Sequence, residues 1–235
     1  FTAPVRQCPS YDPEWENPRG VRVQAFIFGG RRSKDMPLVF QAFNWSHGVY
    51  LGATMGSEAT AAAEGQAAIR RDPMAMLPFC GYNMADYFVH WLKLGRDIAE
   101  PPPIFRVNWF QKDEKGRFVW PGFGQNLRVF RWIVERALGR AHALESPIGW
   151  MPAYEDLHWD GLDYPKATFY SLMEVEKASG LKEATEHEQY FERFDGLPEE
   201  FIYERASLRR RMLRAPDVWY PTTLAERNKI TGKKG

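Results

Sequence analysis

The sequence has only two cysteines among its 235 residues. Cys8 and Cys80 stand far apart and form no Cys-x-x-Cys pair, so the pattern argues against a disulfide framework and against a zinc site. Sparse cysteine is the default in a reducing compartment. No apolar run approaches the length of a membrane-spanning helix, and residues 1–15 lack the pattern of a signal peptide.

A surplus of one charge sign is lacking as well. The 31 basic and 30 acidic side chains give a net charge of +1, which argues against nucleic acid or a membrane surface as a partner. The phosphate-binding motif Gly-x-x-x-x-Gly-Lys-Ser/Thr is absent, and no set of Lys, His and Asp can be assigned to a metal. The first residue is not methionine, so we expect a sequence that begins inside a longer polypeptide.

Aromatic residues, in contrast, are abundant. They make up 15% of the chain and include nine tryptophans, while hydrophobic residues make up 44% and charged residues 26%. The last two fractions are those of an ordinary globular protein, and the length allows a substantial core in one large domain or two small ones. The aromatic content favours extensive ring packing or ring-binding sites.

The densest group of aromatic residues lies in Ile104–Asn126. The pattern predicts a strand from Ile104 to Phe110, a charged turn that closes on Gly116, a short second strand and an aromatic loop before a helix. Three phenylalanines can form a slot for a flat ring, and a neighbouring amide can read the polar edge of that ring: Phe110, Phe118, Phe123 and Asn126. Alternation along the strand places Trp109 on its other face.

Two alternatives stay open for this stretch. Most aromatic hairpins bury their rings in a core. Asn126 also precedes a strongly periodic helix that ends at Gly139, so capping that helix is a strong alternative to contacting a base. The periodicity predicts an inward face formed by Leu127, Phe130, Ile133, Val134, Ala137 and Leu138.

A pair of arginines follows a predicted strand. The apolar run Val21–Phe28 ends at Gly29-Gly30, and Arg31 and Arg32 come next. A guanidinium can clamp phosphate oxygens, although solvated turn residues are the commoner meaning of such a pair. Two further strands are predicted at Pro37–Asn44 and Val49–Ala53, with His47 between them as a structural histidine.

The alanine-rich stretch Gly56–Ala68 gives conflicting signals. Alanine favours a helix, and Ser57 can cap it. The stretch also has almost no large apolar side chain to anchor it, which is typical of segments that open easily, as lids do. Both interpretations remain open on composition alone.

The remaining elements are predicted to be mainly helical. Asn83 is expected to cap a helix that runs to Leu94 and stops at Gly95. Three more helices are predicted at Lys166–Ala178, Lys182–Phe194 and Pro198–Leu213. Residues 215–235 contain two prolines and a basic end, and we expect them to be mobile or to lie across the surface.

Several of these segments together resemble GTP-dependent phosphoenolpyruvate carboxykinase. The likeness rests on Phe-Thr-Ala-Pro at 1–4, Phe-Gly-Gly-Arg-Arg at 28–32, Ser-Glu-Ala-Thr-Ala-Ala-Ala-Glu at 57–64, residues 72–79, and the aromatic stretch 104–126. It is specific from residue 1 to about 162 and loose afterwards. It implies a mixed α/β fold, the C-terminal lobe of a two-lobed enzyme with a helical tail. The implied divisions are a nucleotide-binding segment 1–162, a helical segment 163–214 and a tail 215–235.

The resemblance also implies roles for particular residues. Arg31 corresponds to an arginine that contacts the terminal phosphates of the nucleotide, and Phe110, Phe118, Phe123 and Asn126 correspond to the guanine pocket. A mobile lid at about 56–68 corresponds to Ser57, Glu58, Ala59, Thr60, Ala61, Ala62, Ala63 and Glu64. The chain departs from the family after Glu64, where Gly65-Gln66-Ala67-Ala68 replaces a His and lysines.

The activity implied by the resemblance is that of a carboxy-lyase of gluconeogenesis. The family converts oxaloacetate and GTP into phosphoenolpyruvate, GDP and carbon dioxide with a divalent metal, Mn²⁺ or Mg²⁺, whose ligands are not in this chain. The implied partners are GTP or GDP and the missing N-terminal part of the same polypeptide, in a cytoplasmic monomer. The chain alone is therefore expected to be inactive. Two alternatives remain: a non-catalytic purine-nucleotide-binding module, and a structural domain whose aromatics are all core.

Overall fold

The computed structural model describes residues 3–58 and 69–222. Its strands are β1 Phe26–Gly29, β2 Val39–Gln41, β3 Gly56–Glu58, β4 Ile69–Arg71, β5 Ile104–Val107, β6 Leu144–Ser146, β7 Gly149–Met151, β8 Val175–Glu176 and β9 Val218–Trp219. Its α-helices are α1 Trp45–Ala53, α2 Met84–Asp97, α3 Asn126–Ala137, α4 Lys166–Leu172, α5 Lys177–Phe191 and α6 Glu199–Arg214. Short 3-10 helices cover Val5–Gln7, Pro13–Glu16, Pro73–Ala75, Phe123–Gln125 and Tyr154–Asp156. Within this part of the chain, no helix has the length and apolar character needed to cross a membrane.

A mixed sheet of five strands, in the order β1-β5-β2-β7-β6, organises the fold. The central strand β5 pairs in parallel with β1 and antiparallel with β2, and all four of its residues are buried. Strands β6 and β7 form an antiparallel hairpin that joins β2. The predicted mixed α/β class is confirmed, although β1 and β2 are shorter than the apolar runs that predicted them.

Helix α1 lies where the sequence predicts a third strand, so the strand prediction for Val49–Ala53 is wrong. The side chain of Asn44 accepts a hydrogen bond from the His47 amide and starts the helix. Glycines allow the helix to approach the sheet closely, because a Cβ at Gly48 would lie 2.5 Å from Ile104 Cδ1. The residues from His47 to Ala53 are all buried. A segment that is apolar on every side shows no helical periodicity, and this explains the error.

Helix α2 begins as predicted and ends later. The Asn83 side chain accepts a hydrogen bond from the Ala85 amide, and the helix continues through Gly95 to Asp97. Gly95 does not stop the helix. A Cβ at this position would lie 2.1 Å from Trp45 Cδ1, so the glycine makes room for the indole ring.

Helix α3 turns a different face inward from the one predicted. Val129, Trp132 and Ile133 are its buried residues. Of the residues that were predicted to face inward, only Ile133 is buried. Four of the others are exposed: Leu127, Phe130, Val134 and Leu138. These four residues form an apolar stripe on the surface, which we call the α3 stripe.

The C-terminal helices are interrupted by a small sheet. The predicted helix Lys166–Ala178 is wrong at residues 173–176, because Val175–Glu176 pairs with Val218–Trp219 and Lys177 begins a separate helix, α5. Trp219 is buried, so the predicted tail 215–235 is packed at least as far as this strand. Residues 223–235 lie outside the described part of the chain.

A cluster of charged side chains lies beneath β5, and Glu183 of α5 is at its centre. The Glu183 carboxylate binds Arg32 at 2.5 Å and Arg71 at 3.0 Å. His187 Nε2 lies 3.1 Å from the same carboxylate, and Tyr50 Oη lies 2.8 Å from His187 Nδ1. Burial opposes ionisation of Glu183, but His187 and the two arginines outweigh it and hold the carboxyl pKa far below its ordinary value.

Candidate functional site

Arg31 leaves the end of β1 and is held in place by β3. Its amide donates to Ser57 Oγ at 3.1 Å, and its carbonyl accepts from the Glu58 amide at 2.7 Å. Its guanidinium donates to the Glu58 carbonyl at 3.4 Å. The backbone that carries the predicted phosphate-contacting arginine is therefore joined directly to the start of the predicted lid.

Glu58 makes a second connection to the same loop. Its Oε1 accepts from both the amide and the hydroxyl of Ser33, each at 2.8 Å. Of the predicted lid at about 56–68, only Gly56, Ser57 and Glu58 lie in the described part of the chain, where they form β3, paired with Ile69–Arg71. The helix suggested by the alanine content is therefore wrong at its first residues. Ala59, Thr60, Ala61, Ala62, Ala63 and Glu64 lie outside the described residues.

Phe110 and Phe118 form one corner of the site. Their ring centroids are 6.1 Å apart with an interplanar angle of 72°, which is an edge-to-face contact. The Arg31 guanidinium carbon lies 5.2 Å from the Phe110 centroid, and Lys112 Nζ lies 5.4 Å from that of Phe118. The structure thus brings together one predicted cation and two predicted aromatic residues. The predicted strand from Ile104 to Phe110 ends at Val107, so strand alternation does not apply to Trp109, which packs on Phe130.

Phe123 stands apart from this corner. Its side chain is 98% exposed, and its backbone φ of +48° lies in the left-handed region that residues other than glycine rarely adopt. No ring contact joins it to Phe110 or Phe118 within the described residues. A fully exposed ring on a strained backbone is the kind of feature that concentrates at ligand sites.

Asn126 does not cap α3. The capping position belongs to Gln125, and the Asn126 side-chain oxygen accepts a hydrogen bond from Trp120 Nε1 at 2.8 Å. Trp120 is buried and packs on Tyr164. The capping alternative is therefore wrong, and the indole fixes the direction of the amide.

A surface cleft of about 1040 Å³ borders this site. Phe118 lines the cleft, whereas Arg31, Phe110, Phe123 and Asn126 do not. The volume is that of a small-molecule cleft, but its walls mix acidic and basic residues, including Lys34, Lys112, Asp113 and Glu174. We therefore define the candidate site by the contacts among its residues and not by this cleft.

His47 makes purely structural contacts. Its Nδ1 accepts a hydrogen bond from the Phe43 amide at 3.1 Å, and burial lowers its pKa to about 3. The ring therefore stays neutral. Across residues 3–58 and 69–222, no group of three His, Cys, Asp or Glu side chains is placed to hold a metal ion. The described residues do not fit the divalent metal that the resemblance implies.

Sequence reasoning missed how three residues hold the site together. Asn108, Trp120 and Glu58 each bind a neighbouring segment by side-chain hydrogen bonds. The one available signal was Asn108, a polar residue within the apolar run Ile104–Phe110. The roles of Trp120 and Glu58 depend on tertiary contacts that local patterns do not contain.

Comparison with known proteins identifies the family. The model of the phosphoenolpyruvate carboxykinase C-terminal P-loop domain matches residues 1–211. The chain belongs to this family.

Curated relatives carry the name phosphoenolpyruvate carboxykinase [GTP]. The chain is 46% identical over 220 residues to the protein from Anaeromyxobacter dehalogenans, covering 93% of the chain and 37% of the relative. It is 49% identical over 206 residues to that from Treponema pallidum, covering 85% and 33%. It is 46% identical over 205 residues to that from Thermoplasma volcanium, covering 87% and 34%. The chain thus spans about a third of the length of these relatives.

Proposed function

We propose that this chain is the C-terminal part of a GTP-dependent phosphoenolpyruvate carboxykinase and that it binds the guanine nucleotide. The proposal rests chiefly on one observation, the meeting of Arg31, Phe110 and Phe118 at the end of β1 and β5. A base needs aromatic faces, and its phosphates need a cation nearby. Phe123 and Asn126 complete the proposed base site, with the Asn126 amide directed by Trp120.

The complete enzyme is proposed to convert oxaloacetate and GTP into phosphoenolpyruvate, GDP and carbon dioxide. Phosphoryl transfer depends on positioning and on neutralisation of the phosphate charge. In this scheme Arg31 neutralises charge on the terminal phosphates, and it moves off the Phe110 ring to do so. The aromatic residues hold the base, and Asn126 distinguishes guanine from adenine through the ring edge, because stacking alone does not.

The rest of the polypeptide is the proposed partner of this chain. It would supply the phosphate-binding loop and the divalent metal, Mn²⁺ or Mg²⁺, for which the described residues have no ligand group. The chain alone is accordingly proposed to be inactive. The α3 stripe supports a partner, because adjoining exposed apolar residues mark contact surfaces. The lid, the cytoplasmic location and the monomeric state implied by the resemblance stay predictions.

Nucleotide titration tests the proposal. Binding of GDP and of ADP is followed by tryptophan fluorescence, since Trp120 contacts Asn126. We expect saturable quenching by GDP at concentrations where ADP has no effect. Phe118→Ala should weaken GDP binding by about 1–3 kcal/mol, roughly 5- to 150-fold. Asn126→Ala should reduce the preference for GDP over ADP.

Phe79→Ala is the matched control, because Phe79 is an exposed phenylalanine outside the site. It should leave both affinities unchanged. An unaltered guanine preference in Phe118→Ala and Asn126→Ala would contradict the base site.

A non-catalytic purine-nucleotide-binding module is the second candidate. The contacts of Phe110 with Arg31 and Phe118 support nucleotide binding and do not by themselves require catalysis. The two candidates differ in one result. Addition of the remaining polypeptide of a relative restores phosphoenolpyruvate formation in the first case and has no effect in the second.

A further inference from the structure

Asn108 is a fully bonded amide buried between the two halves of the candidate site. It is 1% exposed. Its side-chain oxygen accepts from the amides of Arg32 and Phe110, both at 3.2 Å. Its side-chain nitrogen donates to the carbonyls of Arg32 at 2.9 Å and Met36 at 2.8 Å. Both donors and both acceptor positions of the carboxamide are therefore used.

These hydrogen bonds begin where the sheet ladder stops. The parallel register of β1 and β5 ends with Gly29 opposite Val107. Beyond that pair, Arg31 lies two residues after the end of β1 and Phe110 three residues after the end of β5. Asn108 connects the two segments that follow β1 and β5, because its side-chain oxygen accepts from the amides of both Arg32 and Phe110. The separation between the Arg31 backbone and the Phe110 ring thus depends on this side chain.

We propose that Asn108 is a positioning residue that sets the distance between the phosphate-contacting and base-contacting halves of the nucleotide site. This inference rests on the proposed function. A rigid ligand that binds one half presents its other end to the second half at high effective concentration only when the spacing fits. Asn108 therefore affects how much the phosphates add to base binding, and it does not itself contact the nucleotide.

The ratio of two affinities measures this effect. Guanosine contacts the base half alone, whereas GDP contacts both halves. Calorimetric titration of the chain with each ligand gives the gain in affinity that the diphosphate provides. Asn108→Asp keeps the shape and the two acceptors but places a carboxylate oxygen beside the carbonyls of Arg32 and Met36. We expect this variant to bind guanosine with the wild-type affinity. Its ratio of GDP affinity to guanosine affinity should be lower than that of the wild type by about tenfold or more.

Gln111→Leu is the matched control. The Gln111 side chain donates to the same Met36 carbonyl at 2.7 Å and to the Leu172 carbonyl at 3.0 Å, and neither hydrogen bond involves Arg32 or Phe110. This variant should lose comparable structural hydrogen bonds and keep the full ratio of GDP to guanosine affinity. If Asn108→Asp does not give the wild-type near-ultraviolet circular dichroism, Asn108→Ser is measured in its place.

The outcomes separate the inference from the function on which it rests. The inference is supported if the ratio of GDP affinity to guanosine affinity falls in the Asn108 variant and is unchanged in Gln111→Leu. An equal loss of guanosine and GDP affinity, or the same loss of ratio in both variants, overturns it while the proposed function stands. A wild-type chain that binds neither ligand overturns both.

Discussion

Two histidines are buried, and each ring forms hydrogen bonds with the protein. His47 accepts a hydrogen bond from the Phe43 amide, and His187 lies between Tyr50 and Glu183. Burial lowers the pKa of His47 to about 3 and that of His187 to about 4, the latter despite the neighbouring Glu183 carboxylate. Both rings are therefore neutral in the folded chain under conditions where they are protonated in the unfolded chain.

Stability should consequently fall as the pH is lowered from 7 towards 4. Between its folded pKa and its ordinary value of 6.5, each histidine binds more protons in the unfolded state. Each one then reduces the free energy of unfolding by up to about 1.4 kcal/mol per pH unit. Urea unfolding at a series of pH values measures the slope.

His47→Asn tests the contribution of one ring. The asparagine oxygen can accept the hydrogen bond from the Phe43 amide in place of Nδ1, and the titrating group is removed. The slope of the free energy of unfolding against pH should therefore fall by the value for about one proton. His90→Asn is the control for the substitution itself, because His90 is exposed. An unchanged slope in His47→Asn would show that this ring does not titrate differently on folding.

Residue types were easier to predict than residue partners. Arg31, Phe110 and Phe118 were predicted from their positions in short motifs, and the structure places them together. The partner of Asn126 was not predicted. Neither of its two predicted roles, capping the helix or contacting a base, indicated which side chain of the protein it binds. Its bond to Trp120 depends on how a loop folds back, which no local periodicity records.

At the scale of elements, glycine determines how closely helices pack. Gly95 lies inside α2 against Trp45, whose indole stacks on Trp91 and donates to the Trp91 carbonyl at 2.7 Å. The ring is thus held on two sides and cannot move away from an added methyl group. A glycine that resembles a helix stop in sequence is here a packing position.

Gly95→Ala should destabilise the chain by about 1–3 kcal/mol through overpacking, against a gain in helix propensity of about 1 kcal/mol. The net result should be a lower melting temperature. Gly81→Ala is the control, because nothing lies within 4 Å of a Cβ at that position. A melting temperature for Gly95→Ala at or above that of Gly81→Ala would contradict the packing role.

The errors in the predicted elements have two physical causes. Helix α1 is buried all round, so its sequence carries no periodic signal, and β-branched and aromatic residues suggested a strand. Helix α3 is strongly periodic but has apolar residues on more than one face, so the pattern indicated a helix and not its inward side. Strands β1, β2 and β5 and helices α2, α5 and α6 were predicted with shifted ends, whereas the hairpin of β6 and β7 was not predicted.

For the whole molecule, the α3 stripe is an exposed apolar surface next to the loop that carries Phe123. Leu127 is 68% exposed and Val134 is 55% exposed, on a chain that spans about a third of its relatives. Exposed apolar patches promote association. The chain should therefore self-associate as its concentration rises, and sedimentation velocity measures the effect.

Leu127→Lys combined with Val134→Lys should reduce this association. Each surface replacement should change the free energy of unfolding by no more than about 0.5 kcal/mol. Ile202→Lys combined with Leu213→Lys adds the same charge to exposed positions of α6. If both pairs reduce association equally, the effect is one of net charge and not of the α3 stripe.

The charged cluster around Glu183 has a consequence for the order in which the chain is made. Glu183 follows its partner Arg32 by 151 residues and its partner Arg71 by 112. At about 5–20 residues per second, a ribosome needs about 8–30 s after adding Arg32 to add the carboxylate that neutralises it. Until then, a buried Arg32 would lack its counter-ion, which is unfavourable. We therefore expect the buried centre around Arg32 and Glu183 to form only after α5 has been made.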